Sequence, residues 1–417
     1  MALGLYISLP FCQTKCSYCN FASDVFSGAV FARYVDRVCQ DMTRASTVAE
    51  QMGGHFERAV DSIYLGGGTP TLLDVTQLEQ LFFAIGQNFE VQPGAEVTVE
   101  CAPGTLGPAV IDVLGRSGVN RVSLGVQSFV DREAASVGRL HTCQTVSDDI
   151  ARLRSAGITN ISLDLIAGLP HQSYPSWKTS LDRAIASQVP HVSVYLLEVD
   201  HDSRLGRELI AGGTRYHAGA VPDEDRMADF YMMACEQLAN AGVKQYEISN
   251  FARDGYQSRH NLKYWSRQPY FGFGVDAHSM LLVPSPQNGS PRGALVGASR
   301  RDGLGSGASL SGGEAVRFAT PDSLEEYLAA APAQRTLIDN RAALEEAFFL
   351  GLRLNRGTDL AKVSADFGIS RLAALRPTMV ELVEAGLLEQ EDDRIRLTAR
   401  GRLLSNEVFE RFVSIPS

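Results

Sequence analysis

The chain has 417 residues, of which 45% are hydrophobic and 21% are charged, a mixture typical of a globular protein of two or three domains. No segment approaches the roughly 18 consecutive apolar residues of a membrane helix, so we do not expect an integral membrane protein. The net charge of −10 repels phosphate groups and argues against a nucleic-acid partner. Residues Met1–Leu9 lack the basic start of a secretory signal, and a cytoplasmic location is therefore expected.

Short β-rich apolar segments alternate with amphipathic, helix-length segments from residue 3 to about residue 199. The predicted strands are Leu3–Leu9, Ser62–Leu65, Glu96–Val99, Arg121–Gly125, Ile161–Leu165 and Val192–Leu197. The predicted helices between them are Phe31–Arg44, Leu78–Asn88, Ala109–Ser117, Thr145–Ala156 and Ser176–Ser187. Strands joined by helical crossovers form a parallel sheet, so the pattern predicts an α/β fold with helices on one side. Six units are two too few for a closed eight-fold barrel.

A different pattern follows the sixth strand. Asp223–Asn240 predicts a helix, Lys244–Ile248 a strand, and the Gly-, Ser- and Pro-rich stretch Pro284–Gly313 a flexible surface loop. A small winged-helix-like domain is predicted from helices over Arg341–Leu352, Asp359–Phe367 and Leu372–Ala385, a hairpin over Leu387–Leu397 and a last helix over Ala399–Phe412. We thus expect a core over residues 1–235, a connecting region over 236–332 and a C-terminal domain over 333–417.

Glycine and polar residues follow each predicted strand at its carboxyl end. They are the cysteines after the first strand, Gly66–Pro70 after the second, Glu100, Gln127 with Ser128, Asp164 and Glu198. Because the carboxyl ends of parallel strands meet at one rim, where parallel barrels carry their sites, six such positions predict a single pocket.

The first strand runs into the motif Cys12-x3-Cys16-x2-Cys19, whereas Cys39, Cys101, Cys143 and Cys235 are scattered singly. Thiolates are the usual ligands of iron–sulfur clusters, and three of them can hold three irons of a 4Fe–4S cluster. The fourth iron is then open to a chelating molecule such as S-adenosylmethionine, whose cleavage gives an adenosyl radical. Zinc is the alternative, but it would need a fourth Cys or His at finger-like spacing.

The turn Gly66-Gly67-Gly68-Thr69-Pro70 matches neither phosphate-loop template, because it lacks Gly-Lys-Ser/Thr and has Thr71 at the last glycine position of the dinucleotide fingerprint. It is either a plain tight turn or a place where the backbone approaches a ligand closely. Its position at the rim favours a ligand, for which the methionine amino group of the cofactor is the candidate.

Together these segments resemble the radical S-adenosylmethionine superfamily, and most closely the branch of oxygen-independent coproporphyrinogen III oxidases and their heme-chaperone relatives of the HemW type. The resemblance covers Tyr6–Phe21, Leu65–Thr71, Gly118–Phe129, Gly138-Arg139, Asp164–Pro170, Tyr246–Phe251 and His260–Trp265. It implies a partial (β/α)6 barrel with a winged-helix-like α+β domain, and a cluster on Cys12, Cys16 and Cys19. It also implies S-adenosylmethionine held by Tyr6, Tyr18, Gly67, Gly68, Thr69, Glu100, Gln127, Arg139 and Asp164.

Two features separate the branches. The oxidases carry a fourth cysteine two residues after the third, where this chain has Phe21, and they have an N-terminal extension for which a cluster starting at residue 12 leaves no room. Both features favour the chaperone branch, which binds heme as cargo and passes it to an acceptor protein; a respiratory membrane protein is one candidate acceptor. The alternative is an oxidase that decarboxylates porphyrinogen propionates with the adenosyl radical.

The sequence His260-Asn261-Leu262-Lys263-Tyr264-Trp265 resembles a motif proposed for heme binding in the chaperone branch. A histidine can ligate heme iron, and Tyr264 and Trp265 can stack on a flat apolar macrocycle. Alternatively, His260 is a hydrogen-bonded packing residue and the two aromatic residues belong to the core.

A third function, nucleic-acid binding by the C-terminal domain, has little support, because Leu372–Ala385 carries Arg376 as its only cation. The chain departs from the family pattern at Ser8, where histidine is common, and at Cys101-Ala102, where Ala-Asn is usual. Both departures lie beside the expected cofactor pocket, so they bear on cofactor affinity.

Overall fold

A computed structural model describes residues 1–284 and 313–413 of the chain. Residues 285–312, nearly all of the predicted loop Pro284–Gly313, lie outside the described residues. The first part of the chain contains, in order, β1 (Leu3–Leu9), α1 (Gly28–Thr43), α2 (Ala45–Met52), β2 (Ala59–Gly67), α3 (Val75–Asn88), β3 (Glu90–Cys101), α4 (Pro108–Arg116), β4 (Arg121–Gln127), α5 (Asp131–Ser136), α6 (Cys143–Ser155), β5 (Asn160–Ala167), α7 (Tyr174–Ala186) and β6 (His191–Leu196). The six predicted strands and the crossover helices are confirmed.

Strands β1 to β6 pair in chain order, and every pair is parallel. Helices α3, α6 and α7 each begin with a capping box, at Asp74, Thr142 and Ser173. Such a box satisfies backbone N–H groups at the start of a helix and so determines where each crossover begins. The result is a partial (β/α)6 barrel, as predicted.

Side chains along these strands alternate between two faces. One face carries apolar residues that are buried in the main core: Leu5, Ile7, Ile63, Leu65, Val97, Val99, Val122, Leu124, Leu163, Leu165, Val192 and Val194. The other face carries polar groups that contact each other inside the barrel, such as Glu100 with Tyr64 and Asp164 with Ser123. A period of two in strands therefore separates an apolar layer under the helices from a polar interior.

The next segment extends this sheet on both sides. It contains α8 (Arg204–Ala211), α9 (Glu224–Asn240), β7 (Lys244–Gln245), β8 (Asn250–Ala252), α10 (Arg259–Trp265), β9 (Tyr270–Phe273), β10 (His278–Leu282), β11 (Ala315–Ala319), α11 (Leu324–Leu328) and β12 (Gln334–Ile338). Strand β9 pairs in parallel with β1, and β10, β11 and β12 follow in antiparallel order, while β8 and β7 extend the edge beyond β6. The predicted boundary at residue 235 falls within α9, and β12 lies beyond the predicted boundary at 333 although it belongs to the twelve-stranded sheet.

The C-terminal domain contains α12 (Asn340–Arg353), β13 (Thr358–Asp359), α13 (Leu360–Phe367), α14 (Ile369–Glu384), β14 (Leu388–Glu391), β15 (Arg394–Leu397), α15 (Ala399–Leu403) and α16 (Ser405–Val413). A three-stranded sheet of order β13-β15-β14 packs with these helices in the winged-helix-like arrangement expected. The last predicted helix is instead two helices, because Leu404 leaves helical geometry at φ −106° and ψ 30°. Within the described ranges, no helix is both long and apolar enough to cross a membrane.

Candidate functional site

The three clustered cysteines lie on the loop between β1 and α1. The Cys12 N–H donates to the Asp24 carbonyl at 3.0 Å, and the Cys19 N–H donates to the Cys16 carbonyl at 3.3 Å. All three thiols are free; Cys16 is buried and the other two are half-buried. Backbone hydrogen bonds therefore hold the loop in a turn that keeps three unbonded sulfurs in one short segment.

The surroundings of these sulfurs act in opposite directions on thiolate formation, because a guanidinium lies beside one sulfur and burial acts on another. An Arg139 Nη donates to the Cys16 sulfur at 3.7 Å. Burial raises the pKa of Cys12, and the nearby Cys19 and Cys16 raise it further, so the three thiols are within electrostatic reach of one another. Across residues 1–284 and 313–413, no three His, Cys, Asp or Glu side chains converge closely enough to hold one metal ion. Three soft thiolates beside an arginine are suited to an iron–sulfur cluster, because each thiolate binds a different iron.

The glycine turn after β2 packs against the cysteine loop. The Thr69 N–H donates to the Phe11 carbonyl at 2.7 Å. A Cβ on Gly68 would lie 2.7 Å from the carbonyl oxygens of both Leu9 and Phe11, so only glycine fits there without a backbone shift. Gly67 has φ +94°, and a Cβ on it would lie 3.3 Å from the Tyr6 hydroxyl. The predicted residues Gly67, Gly68 and Thr69 thus form one tight turn against the cysteine loop.

Glu100 lies at the end of β3 and faces this turn. One carboxylate oxygen accepts the Gly67 N–H at 3.2 Å, and the other accepts the Tyr64 hydroxyl at 2.7 Å. Burial raises the pKa of Glu100 to about 7, although both hydrogen bonds act in the opposite direction. The group therefore holds a carboxylate beside the backbone amides of the turn and can change protonation near neutral pH.

Arg139, Gln127 and Asp164 form the far side of the rim. Arg139 donates to the Gly125 carbonyl, and its Nε has no hydrogen-bond partner among the described residues. Gln127, at the end of β4, has a left-handed backbone with φ +66°. Asp164 accepts the Ser123 hydroxyl at 3.0 Å, and burial raises the pKa of its carboxyl group. Each of these polar groups has capacity left for a ligand.

Both predicted tyrosines are half-buried beside these groups. Burial raises the pKa of Tyr18, which is close to Cys16 and Arg139, and burial also raises the pKa of Tyr6, with Glu100 as the next cause. The rim thus brings together the three cysteines and the residues predicted to hold the cofactor. Their roles as cofactor ligands stay a prediction.

Three further polar residues of this site escaped the sequence analysis: Tyr64, which binds Glu100, and Ser123 and Ser193, which both donate to Asp164. A signal for them was present in the sequence. Each is a polar residue between apolar neighbours of a buried strand, and such a residue must face a polar interior or a partner.

Ser8 and Cys101, the two departures from the family pattern, both lie next to the rim. A Cβ on Gly67 would be 2.9 Å from the Ser8 hydroxyl, and the Ser8 carbonyl accepts the Tyr34 hydroxyl at 2.6 Å. Cys101 is buried, and burial raises the pKa of its thiol. The small Ser8 side chain therefore fits directly under the glycine turn.

The predicted heme segment lies on α10 and adjoins the site through Tyr64, whose hydroxyl donates to Glu100. His260 is 1% exposed. Its Nδ1 is 3.0 Å from the Ser62 hydroxyl, and its Nε2 is 2.8 Å from the Tyr264 hydroxyl. Its ring stacks on Tyr64 at 5.4 Å, and burial lowers its pKa to about 3. Both ring nitrogens are thus engaged in hydrogen bonds, and ligation of heme iron requires that one of these bonds be released.

The two aromatic neighbours of His260 connect α10 to the rest of the chain. Tyr264 meets the ring of Tyr270 edge-on with 4.5 Å between centroids. The Arg353 guanidinium of the C-terminal domain lies 4.2 Å from the centre of the Trp265 ring. Among the described residues, Trp265 Nε1 has no hydrogen-bond partner. Trp265 therefore marks a contact between α10 and the C-terminal domain.

Comparison with known proteins relates both parts of the chain to one group. Residues 6–184 match the model of the radical SAM superfamily, and residues 338–404 match that of the HemN C-terminal domain. The heme chaperone HemW of Lactococcus lactis is 33% identical over 98% of this chain and 96% of that protein. HemW of Bacillus subtilis is 31% identical over 98% of both chains.

Among solved structures, coproporphyrinogen III oxidase (HemN) from Escherichia coli, described as a radical SAM enzyme, matches with a TM-score of 0.78. The match covers 99% of this chain and 90% of that one at 20% sequence identity. At this identity the likeness establishes a common fold.

Proposed function

The chain belongs to the HemW-type family of the radical S-adenosylmethionine superfamily, and from this premise we propose that it is a heme chaperone, which binds heme and transfers it to an acceptor protein. The observation that carries the proposal is the similarity to heme chaperones along nearly the entire chain. Phe21 supports it further: the side chain at the position of the oxidases' fourth cysteine is 65% exposed and has no metal-binding atom.

We propose that Cys12, Cys16 and Cys19 hold a 4Fe–4S cluster. When bound, this cluster supplies one electron to the sulfonium of S-adenosylmethionine. The Arg139 guanidinium stabilises the Cys16 thiolate through its 3.7 Å contact, and Gly68 keeps the loop close to the turn. These contacts support a rigid thiolate set on the rim of the barrel.

The rim residues hold S-adenosylmethionine in this proposal. A carboxylate at Glu100 polarises the Gly67 N–H and faces the turn where an amino group can bind. Asp164 and Gln127 provide oxygen and amide groups for hydroxyl groups of a ribose, and the free Nε of Arg139 can bind a carboxylate. Tyr6 and Tyr18 close the sides of the pocket.

Heme is the cargo, and an acceptor protein receives it in the cytoplasm or at a membrane. His260, Tyr264 and Trp265 remain candidates for contacting heme. Because both nitrogens of His260 are hydrogen-bonded, we infer that heme binding at this segment is coupled to a rearrangement of α10.

The test is an anaerobic titration of the reconstituted protein with heme, followed by an assay of coproporphyrinogen decarboxylation on the same sample. We expect saturable binding of about one heme per chain and no decarboxylation. The His260→Ala variant then tests whether that residue contributes an iron ligand, because loss of the ligand shifts the Soret band. Porphyrinogen turnover without tight heme binding would replace the chaperone proposal with an oxygen-independent oxidase.

A further inference from the structure

Arg121 lies in the polar interior of the barrel, at the start of β4. In the parallel register it is next to Thr98 on β3 and Asn160 on β5. Each of the three has a buried polar atom without a hydrogen-bond partner among the described residues: Arg121 Nε, Thr98 Oγ1 and Asn160 Oδ1. Unpartnered buried polar atoms are rare in native proteins. Arg121 Nε and Thr98 Oγ1 can both donate to one acceptor, whereas Asn160 Oδ1 is itself an acceptor.

The charge of Arg121 indicates what kind of partner it requires. The residue is only 2% exposed, and within residues 1–284 and 313–413 no hydrogen bond or ion pair engages its guanidinium. An isolated buried charge is costly unless an anion pairs with it. Arg267 offers a contrast, because it is 0% exposed but its Nε lies 2.9 Å from the Glu346 carboxylate.

The nearest acidic groups of the chain are already occupied. Asp164 accepts the hydroxyls of Ser123 and Ser193. Glu96 accepts the backbone N–H groups of Arg259 and His260, both at 3.0 Å. Their negative fields act on Arg121 from a distance, yet neither forms a direct pair with it. The guanidinium therefore retains its full hydrogen-bonding capacity for a group from outside.

A hydrogen-bonded network lies one register step from Arg121 toward the carboxyl ends of the strands, where Ser123 pairs with Ser162 and Ser162 with His191. His191 lies between Ser162, at 2.7 Å from its Nδ1, and the Tyr246 hydroxyl, at 3.0 Å from its Nε2. The Tyr246 hydroxyl also accepts the Ser258 N–H at 3.2 Å. Since these side chains bind one another, their hydrogen-bonding atoms are not available to Arg121.

We propose that Arg121 and Thr98 form a binding site for the carboxylate group of an organic ligand inside the barrel. A planar guanidinium pairs with a carboxylate through two parallel hydrogen bonds, and the Thr98 hydroxyl can donate to the same oxygens. A carboxylate suits the site better than a phosphate, because the fields of Asp164 and Glu96 penalise a second negative charge more than the first.

Two sources offer such a group: a free short-chain carboxylate, or a propionate of the tetrapyrrole cargo. The second source rests on the proposed function and deepens it, because it places part of the cargo within the barrel, below the cofactor rim. The first source is independent of that function.

The experiment compares wild type with Arg121→Met, which removes the charge at similar length, and with the control Arg267→Met, which removes a paired buried arginine. Melting temperatures of the reconstituted proteins are measured in sodium propionate and in sodium chloride at equal ionic strength. We expect propionate to raise the melting temperature of wild type and Arg267→Met by about 1–3 °C, and that of Arg121→Met not at all. Without ligand, Arg121→Met should be at least as stable as wild type, whereas Arg267→Met should be less stable.

Titration with heme and with heme dimethyl ester identifies the source. If a tetrapyrrole propionate binds, Arg121→Met weakens heme binding about tenfold or more and leaves binding of the diester unchanged. If wild type responds to propionate but does not bind heme, the carboxylate site stands while the proposed function fails. Thr98→Val, which keeps Arg121, should reduce the propionate shift.

Equal propionate responses in wild type and Arg121→Met would overturn the proposal, as would a loss of folding in Arg121→Met alone. The latter would show that Arg121 is paired within the protein.

Discussion

Two regions that the sequence marked equally strongly differ in how their polar groups are used. At the rim, three thiols are free and Arg139 Nε lacks a partner among the described residues. On α10, His260 is 1% exposed and both of its nitrogens are hydrogen-bonded. The rim has spare bonding capacity that a ligand can use, whereas the His260 ring has none until a bond breaks.

A distinctive sequence motif can therefore serve either ligand binding or packing. A polar group with unused hydrogen-bonding capacity at the rim of the barrel can bind a ligand. A group that is satisfied by its neighbours specifies a packing arrangement, here the contact of α10 with Ser62 and Tyr64 on β2. The predictions below test whether the two regions differ as described.

The largest expected effect is on the cluster. Cys12→Ala, Cys16→Ala and Cys19→Ala should each abolish the 4Fe–4S absorption and electron-spin signals after anaerobic reconstitution, because each removes a thiolate ligand. The control replaces Cys39, Cys101, Cys143 and Cys235 together and should retain both signals. A single mutant with a full cluster, or loss of iron in the control, would remove the assignment of that ligand.

A large but partial effect is expected at the glycine turn. In Gly68→Ala, the new Cβ would lie 2.7 Å from two backbone oxygens, so the turn and the cysteine loop must move apart. We expect the free energy of unfolding to fall by about 1–3 kcal/mol and the affinity for S-adenosylmethionine by at least about tenfold. Denaturant unfolding and equilibrium dialysis measure the two quantities.

Gly86→Ala is the matched control, because nothing lies within 4 Å of its added Cβ and it occupies helix α3. It should stabilise the protein by about 0.5–1 kcal/mol and leave binding unchanged. Unchanged cofactor affinity in Gly68→Ala would show that the turn is separate from the site and would weaken the contrast between the regions.

Sequence reasoning predicted the barrel well, because crossover helices and buried strands have strong periodic patterns. It also placed the residues of the rim together, since the carboxyl ends of parallel strands must meet. It predicted the last helix, Ala399–Phe412, as continuous, because the apolar pattern runs through Leu404, where the backbone leaves helical geometry. Such a local break depends on tertiary packing, which periodicity does not record.

The segment from Arg259 to Met280, for which the sequence predicts no helix or strand, forms α10, β9 and the start of β10. Its elements are short, and their partners are distant in sequence: β9 pairs with β1, and His260 with Ser62. Short elements have little periodicity, so their structure is determined by long-range contacts that no local pattern shows. The sequence also could not predict that Arg121 is buried without a hydrogen-bond partner among the described residues, because a single arginine in a strand belongs to no motif.

The smallest expected effect concerns pH and distinguishes the two regions by sign. Burial lowers the pKa of His260 to about 3, so the unfolded chain binds its proton below pH about 6.5 while the folded chain does not. Its contribution to stability is therefore present above pH 6.5 and is lost as the pH falls. Burial raises the pKa of Glu100 to about 7, so its contribution is present below pH about 4.5 and is lost as the pH rises through 7.

His260→Ala should lower the free energy of unfolding by about 2–4 kcal/mol at neutral pH, since it leaves a cavity and the Ser62 and Tyr264 hydroxyls unpaired. That deficit should shrink toward pH 4, by up to about 1.4 kcal/mol per pH unit. For Glu100→Gln, the difference in free energy of unfolding from wild type should instead change between pH 4.5 and 7. Wild type should be relatively more stable at the acid end of this range. Denaturant unfolding at half-unit pH steps measures both. If the His260→Ala deficit stays constant with pH, His260 carries its proton in the folded protein, and the closed environment assigned to α10 is wrong.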